Sequence, residues 1–303
     1  HGLSESRRIL VYNNGDTPAE WIVEKLEGGS WLTLDATTGT STQSVPAALP
    51  FSVNSSALAE GAYHALLRIT SSDAPNSPLY LPVALRVSAA ATPISPLLPF
   101  GGLAFTANSG EEPSPGVKFP LLASSATPVR FRASVDHVTG AGWLTVSPTS
   151  GSTSGAAPAQ VVVSAASMPR GVYTGKIHFS TENLEIRSLN VTAISSPASG
   201  CVPTKIIATH IGLTDDFRTT VGGHLPISVS VLNDCGEAVT DAVATAEFSN
   251  GERPLQLRHI GLGVYAAPWS PSKEAETLNI TAVATSPRHP FTERAVVAGS
   301  VGS

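Results

Sequence analysis

The chain has 303 residues, a formal net charge of −5 and only 14% charged residues. That length is too great for one hydrophobic core and sets two or three domains as the expectation. The acidic balance, with no basic cluster beyond Arg7-Arg8, argues against a nucleic-acid or anionic-membrane partner, and no segment reaches the ~18 apolar residues of a membrane-spanning helix.

Composition favours strands. The chain carries 26 Gly and 24 Pro among many Ser, Thr, Ala and Val, and Gly and Pro punctuate short strands while weakening helices. With 42% hydrophobic residues it holds enough apolar material for packed cores. It begins at His1 without Met, so it is read as a mature or trimmed fragment from which any export signal is already gone.

In chain order the first landmarks are Thr17-Pro18-Ala19-Glu20-Trp21, then Trp31-Leu32-Thr33-Leu34, then Ala36-Thr37-Thr38-Gly39-Thr40. Phe51-Ser52-Val53 reads as a strand, Gly61-Ala62-Tyr63 opens another that alternates imperfectly through residue 69, and residues 81–87 close the series. Residues 89–96 read as a short semi-rigid linker. The same landmarks then return at offsets of 110 to 112: Thr127-Pro128-Val129-Arg130-Phe131, Trp143-Leu144-Thr145-Val146, Pro148-Thr149-Ser150-Gly151-Ser152 and Gly171-Val172-Tyr173. Residues 1–90 and 97–195 are therefore two copies of one domain. In the second, Tyr173, Gly175, Ile177 and Phe179 share one face of a well-alternating strand. The copies differ at the start. The second carries an extra stretch, 97–116, with a good strand at 103–107. The first has only about ten residues before its own matched region: either the chain was cut from something longer, or this copy lacks its first strand, and a sheet short of a strand exposes an edge that invites pairing with another chain. Residues 195–200 read as a second linker.

Residues 201–303 form a different domain. Residues 225–231 alternate cleanly, Asn233-Asp234-Cys235-Gly236-Glu237 is a turn, and residues 242–248 form a strand ended by Asn250-Gly251, a hairpin signal because both residues tolerate positive φ. Tyr265 and Trp269 lie four apart on a strand and share a face, expected to be core. The two cysteines, Cys201 and Cys235, have a spacing that suits a disulfide, worth about 3–4 kcal/mol by loop closure. Two buried thiols are the alternative.

The chemistry on offer is sparse. There is no His-Glu-x-x-His, Gly-x-Ser-x-Gly or Walker loop. Gly151-Ser152-Thr153-Ser154-Gly155 reads as a plain turn, and the eight histidines are scattered at positions that suit no metal. Asp215-Asp216, Asn233-Asp234 and Asp241 offer oxygens to Ca²⁺ but fit no dedicated loop, so turn and cap roles are expected. Trp31 and Trp143 are weighed as sugar-stacking rings against core packing. Their recurrence at one internal position of both copies favours the core. No catalytic residue, metal site or cofactor is expected.

The run Trp-Leu-Thr-Val-Ser-Pro-Thr-Ser-Gly at 143–151, followed by Met168-Pro169-Arg170-Gly171-Val172-Tyr173-Thr174-Gly175-Lys176-Ile177, resembles the BACON domain. That is an immunoglobulin-like module of exported bacterial proteins, named for a proposal of carbohydrate binding. Copy one departs from the pattern at Asp35-Ala36-Thr37 and at its start. The last third, with Phe248-Ser249-Asn250-Gly251 and Gly263-Val264-Tyr265-Ala266-Ala267-Pro268-Trp269, looks like the bacterial immunoglobulin-like domains of invasin and intimin. The resemblances imply an all-β chain of three tandem immunoglobulin-like β-sandwich domains, secreted or at a bacterial cell surface. The expected role is non-catalytic, structural or adhesive, with other domains or copies of the same surface assembly as partners. A filament subunit joined by strand pairing is a variant. A carbohydrate-binding accessory region, with glycans as partners, is the alternative.

Overall fold

The computed structural model describes residues 4–302 apart from 12, 14–15, 43–46, 60, 75–76, 88–94, 112, 114–115, 183–184 and 288–290, and every regular element in them is a β-strand. The first seven are β1 (Ser4–Val11), β2 (Ala19–Glu27), β3 (Leu32–Leu34), β4 (Thr38–Ser41), β5 (Ala47–Asn54), β6 (Gly61–Thr70) and β7 (Leu79–Val87). They pair in the orders β1-β5-β3 and β4-β2-β6-β7. Trp21, Leu49 and Ile69 from the two sheets meet in one cluster, and Leu32, Ala65 and Leu67 in another.

The next nine are β8 (Pro96–Leu97), β9 (Gly102–Asn108), β10 (Val117–Ala123), β11 (Val129–His137), β12 (Leu144–Ser147), β13 (Ser150–Thr153), β14 (Ala159–Ala165), β15 (Gly171–Thr181) and β16 (Ile186–Ser196). Their orders are β12-β14-β10-β8 and β13-β11-β15-β16-β9. Strand for strand, β1 to β7 correspond to β10 to β16. The second unit adds β8 and β9, and β9 runs parallel to β16 with Phe105 buried in the core. The first unit has no counterpart of β9 among its described residues.

The repeat has a physical reason at two places. Trp21 lies across the ladder from Gly39, and Phe131 from Gly151. A Cβ on Gly39 would stand 2.2 Å from the Trp21 ring, and one on Gly151 2.8 Å from the Phe131 ring. Each ring lies over a bare backbone, which only glycine permits. Likewise the Tyr63 hydroxyl donates to Ala59 O at 2.9 Å and the Tyr173 hydroxyl to Pro169 O at 3.0 Å. A tyrosine tied to the backbone four residues upstream braces the corner leading into its strand. The imperfect alternation of β6 also has a cause. A bulge between Lys25 and Glu27 shifts the register against Leu66 and Leu67, and Leu66 and Leu67 are both buried.

The last eight are β17 (Ile206–His210), β18 (Phe217–Thr220), β19 (Leu225–Asn233), β20 (Val243–Phe248), β21 (Leu255–Gly261), β22 (Val264–Trp269), β23 (Ala275–Thr285) and β24 (Thr292–Gly302). They form one continuous order, β17-β19-β22-β21-β20-β23-β24-β18. The order folds at β21, whose first half pairs with β20 and whose second half pairs with β22. Tyr265 and Trp269 sit in the enclosed core. The Tyr265 hydroxyl accepts from Ala242 N at 2.8 Å and donates to Val239 O at 3.0 Å. Gly251 takes φ +75°, but the β20–β21 connection is six residues long (249–254), not the two-residue hairpin that Asn250-Gly251 suggests. Glu252 holds the longer loop by accepting from Trp269 Nε1 and from the amides of Ser272 and Lys273.

Linker positions shift. Ser195 and Ser196 belong to β16 and are buried, so the second connection starts at 197, while the first lies almost wholly outside the described residues.

Substituting Gly151→Val should cost about 1–3 kcal/mol by forcing the Phe131 ring off the backbone. Urea unfolding of the variant against the parent measures it, and an unchanged midpoint would contradict the ring-over-glycine packing.

Candidate functional site

Trp31 and Trp143 are 5% and 2% exposed. The Trp143 indole N–H is already spent on Thr139 O at 2.9 Å, and its ring packs against Tyr173 and His137. Neither ring offers a face on which a sugar could stack, which corrects that option. The cause is that both open short strands whose partners close over them.

Cys201 and Cys235 form a disulfide with Cα atoms 5.8 Å apart. It ties the lead-in to β17 to the turn after β19. Asn233 Oδ1 accepts from Cys235 N and Glu237 N in that turn. Asp234 accepts from Thr204 N and Lys205 N. Partial burial pushes the Asp234 pKa up, but hydrogen bonds from the Thr204 hydroxyl and from the Thr204 and Lys205 amides outweigh it and the net shift is downward. Gly151, Ser152 and Thr153 lie in β13 rather than in a turn; the Thr153 hydroxyl donates to Leu121 O of β10, and Ser154 Oγ accepts from Ala157 N at 2.9 Å in the turn that follows.

Two open grooves occupy matching places in the repeated units. One, of about 1460 Å³, is lined by Arg130, Arg132, Ser150 and Ser152; the other, of about 450 Å³, by Glu20, Ile22, Thr38 and Thr40. Arg130 stands where the first copy has Glu20, so the charge at that position reverses between the two grooves, and Arg130 faces Glu182.

The densest chemistry lies where the second and third units meet, and nothing in the sequence pattern marked it. Gly101 N donates to Ile211 O at 2.8 Å, and Ser188 and Asp215 exchange two backbone hydrogen bonds. A Cβ on Gly101 would stand 1.9 Å from Leu213 O, and one on Gly102 1.9 Å from His210 O. Two glycines thus let one unit's backbone lie directly on the other's. Buried hydroxyls join there, Thr209 donating to Thr192 at 2.7 Å. Lys176 pairs with Asp215, whose other oxygen accepts from Ala298 N at 2.9 Å. Glu185 faces Arg187 of its own unit and Arg218 of the third. The aspartates weighed for Ca²⁺ thus include one committed to a lysine and an amide, and among the described residues no group of three metal-ligating side chains converges.

Between the first and third units lies a crevice of about 430 Å³ lined by Glu27, Trp31, Leu58, Tyr63, Val221 and His224. Ser270 Oγ meets His224 Nδ1 at 2.5 Å, and His224 Nε2 faces Glu27. Hydroxyl, imidazole and carboxylate are in line, as in nucleophile activation. The flanking amides of Gly222 and Gly223 are bonded to Pro271 O and Thr220 O, so they supply no oxyanion donors. The chain of contacts reads as a clasp between units.

These features define a tandem β-sandwich protein without helices among its described residues. The family model described as the viral BACON domain matches residues 3–79 and 103–185, together just over half of the chain, and the chain belongs to that family. Both matches fall on the repeated units; the description is viral where a bacterial host was expected. Comparison with curated proteins finds no match. Among solved structures, an engineered protein matches at 22% identity over 37% of this chain, with a TM-score of 0.27, and the match spans only 22% of that protein. The D0-D1 domain of intimin matches at 14% identity over 69% of this chain and all of its own, with a TM-score of 0.32. Drosophila N-cadherin EC1-4 matches at 12% identity over 97% of this chain and 72% of its own, with a TM-score of 0.29.

His210 is 1% exposed, with Nε2 at 3.1 Å from Ala295 O and Nδ1 without a partner. Burial holds its pKa down from 6.5 to about 4. The unfolded chain therefore takes up the proton first. The contribution is complete above about pH 6.5, declines as pH falls toward 4, and amounts to about 3 kcal/mol by linkage. Unfolding free energies of parent and His210→Gln at pH 7.5, 5.5 and 4 should converge by that amount toward acid; parallel curves would refute it.

Proposed function

We propose that the chain is a non-catalytic structural and adhesive module of an exterior surface, viral or bacterial, that holds its units in fixed relation and joins neighbours by strand pairing. The observation that carries this is the backbone-on-backbone seating of Gly101 and Gly102 against residues 210–213. A seat that glycine alone fits, reinforced by buried hydroxyls and a lysine–aspartate pair, makes a strut of two units. The disulfide supports a location outside the reducing cytoplasm. The resemblance of residues 201–303 to invasin and intimin domains supports a surface role. The family's description as viral extends the same reading to a viral surface. Burial of Trp31 and Trp143 takes from the carbohydrate-binding reading the rings that would have carried it.

Gly101→Val should leave each unit folded and separate the second unit from the third. Small-angle scattering should show a larger, more variable radius of gyration with an unchanged far-ultraviolet dichroism spectrum. An unaltered scattering profile would remove the strut. Turnover of an ester, peptide or glycoside by the purified chain, abolished by His224→Ala, would overturn the non-catalytic assignment.

Reduction gives a separate check on the third unit. Loss of the Cys201–Cys235 bridge, which closes a separation of 34 residues, should cost about 3–4 kcal/mol. Denaturant unfolding with and without reductant measures the loss. A difference below about 1 kcal/mol would contradict a stabilising role.

A further inference from the structure

Of the four tryptophans, three have their indole N–H spent inside the fold. Trp21 donates to Ser41 Oγ, Trp143 to Thr139 O and Trp269 to Glu252. Trp31 is the exception. It stands where the second copy has Trp143, and the residue four upstream, the counterpart of Thr139, is Glu27. The loop before it is held in another way. Lys25 Nζ donates to Gly29 O at 3.1 Å and to Leu32 O at 2.8 Å. The Trp31 N–H meets no acceptor among the described residues, although the side chain is only 5% exposed. A nearly buried donor left unpaired is costly, and in a native fold it calls for a reason.

That donor borders the crevice of about 430 Å³ between the first and third units. Leu58 and Tyr63 pack on the Trp31 cluster and form one wall, and Val221 of the third unit, 42% exposed, forms the other. Glu27 and His224 stand at its rim and face each other. The Tyr63 hydroxyl is spent on Ala59 O. Glu27 is thus engaged by an imidazole and the nearby Lys25 by two carbonyls, so the crevice favours an uncharged ligand. An apolar recess of this size at a junction between domains, with a few convergent polar groups, is the usual setting for a small molecule.

We propose that this crevice binds an uncharged amide with apolar substituents, in the form of a short stretch of peptide. The amide carbonyl accepts from the Trp31 indole N–H, and the amide N–H donates to the outer oxygen of Glu27. An amide carries both groups without a charge. The apolar side chains lie against Leu58, Tyr63 and Val221, while the face of the Trp31 ring stays in the core. Because the walls come from two units, an occupied crevice also holds the first unit on the third. The proposal goes beyond the structural role and does not depend on the Gly101-Gly102 seat.

The probe is the capped dipeptide N-acetyl-leucyl-leucinamide, titrated into the whole chain labelled with ¹⁵N. The indole cross-peak of Trp31, identified by its loss in Trp31→Phe, should move saturably while the other three stay in place. Trp31→Phe keeps an apolar ring and removes the donor, so it should weaken binding about fivefold, the scale of one hydrogen bond. Val221→Asp changes an exposed wall residue, so it should keep the melting temperature and weaken binding roughly tenfold by placing a charge against the apolar side chains. Maltose, as a glycan control, should leave all four cross-peaks unmoved. The proposal is overturned by no binding at millimolar dipeptide, by movement of a different indole, by undiminished binding to Val221→Asp, or by maltose moving the Trp31 cross-peak. None of these outcomes alters the strut, which scattering from Gly101→Val decides independently.

Discussion

A β-sheet must bury one face and settle its edges, and every unit here is arranged around that constraint. Two sheets solve the first half by closing on each other. Within the repeated units the closure depends on a single kind of contact, a large ring laid over a glycine across the ladder: Trp21 over Gly39 and Phe131 over Gly151. The rings fill the core at the place where a side chain on the edge strand would otherwise hold the sheets apart. The tyrosines at the corner into β6 and β15 fix the approach of the next strand.

The second half of the constraint is settled differently in each unit. The third unit bends its order at β21, so that one strand serves both sides. The second unit covers its last long strand with β9. The first leaves β7 at the end of its order, and the half-buried Leu81, Val83 and Leu85 are the packing consequence. The seat between the second and third units follows the same logic. The segment leading into β9, with Gly101 and Gly102, meets the end of β17 closely because those two residues lack side chains. Polar groups trapped there are paired, Thr192 with Thr209 and Lys176 with Asp215. Exceptions include the Nδ1 of His210 and the Nδ2 of Asn190, which are buried without a hydrogen-bond partner.

Period-two alternation, the two glycine-aromatic landmarks and the repeat offset made the strands, the tandem order and the added strand at 103–107 legible in the sequence. The short connection after Asn250 was misread because Glu252, which organises the longer loop, acts through partners up to 21 residues away. For Trp31 and Trp143 the recurrence at one internal position of both copies favours the core, but pattern alone does not show how far each ring is enclosed. Burial decided it.

By itself, then, the order of residues determined local matters: which segments are strands, which faces are apolar, which two cysteines are available and which units are copies. These depend on neighbours two to four positions apart, where backbone geometry sets the rule. Contacts between residues far apart were decided only by tertiary structure. The Gly101-Gly102 seat, the Glu27–His224–Ser270 clasp and the suppressed basicity of His210 each require surfaces from different strands or units to meet. Desolvation and close approach are properties of that meeting, and no periodicity along a chain encodes them.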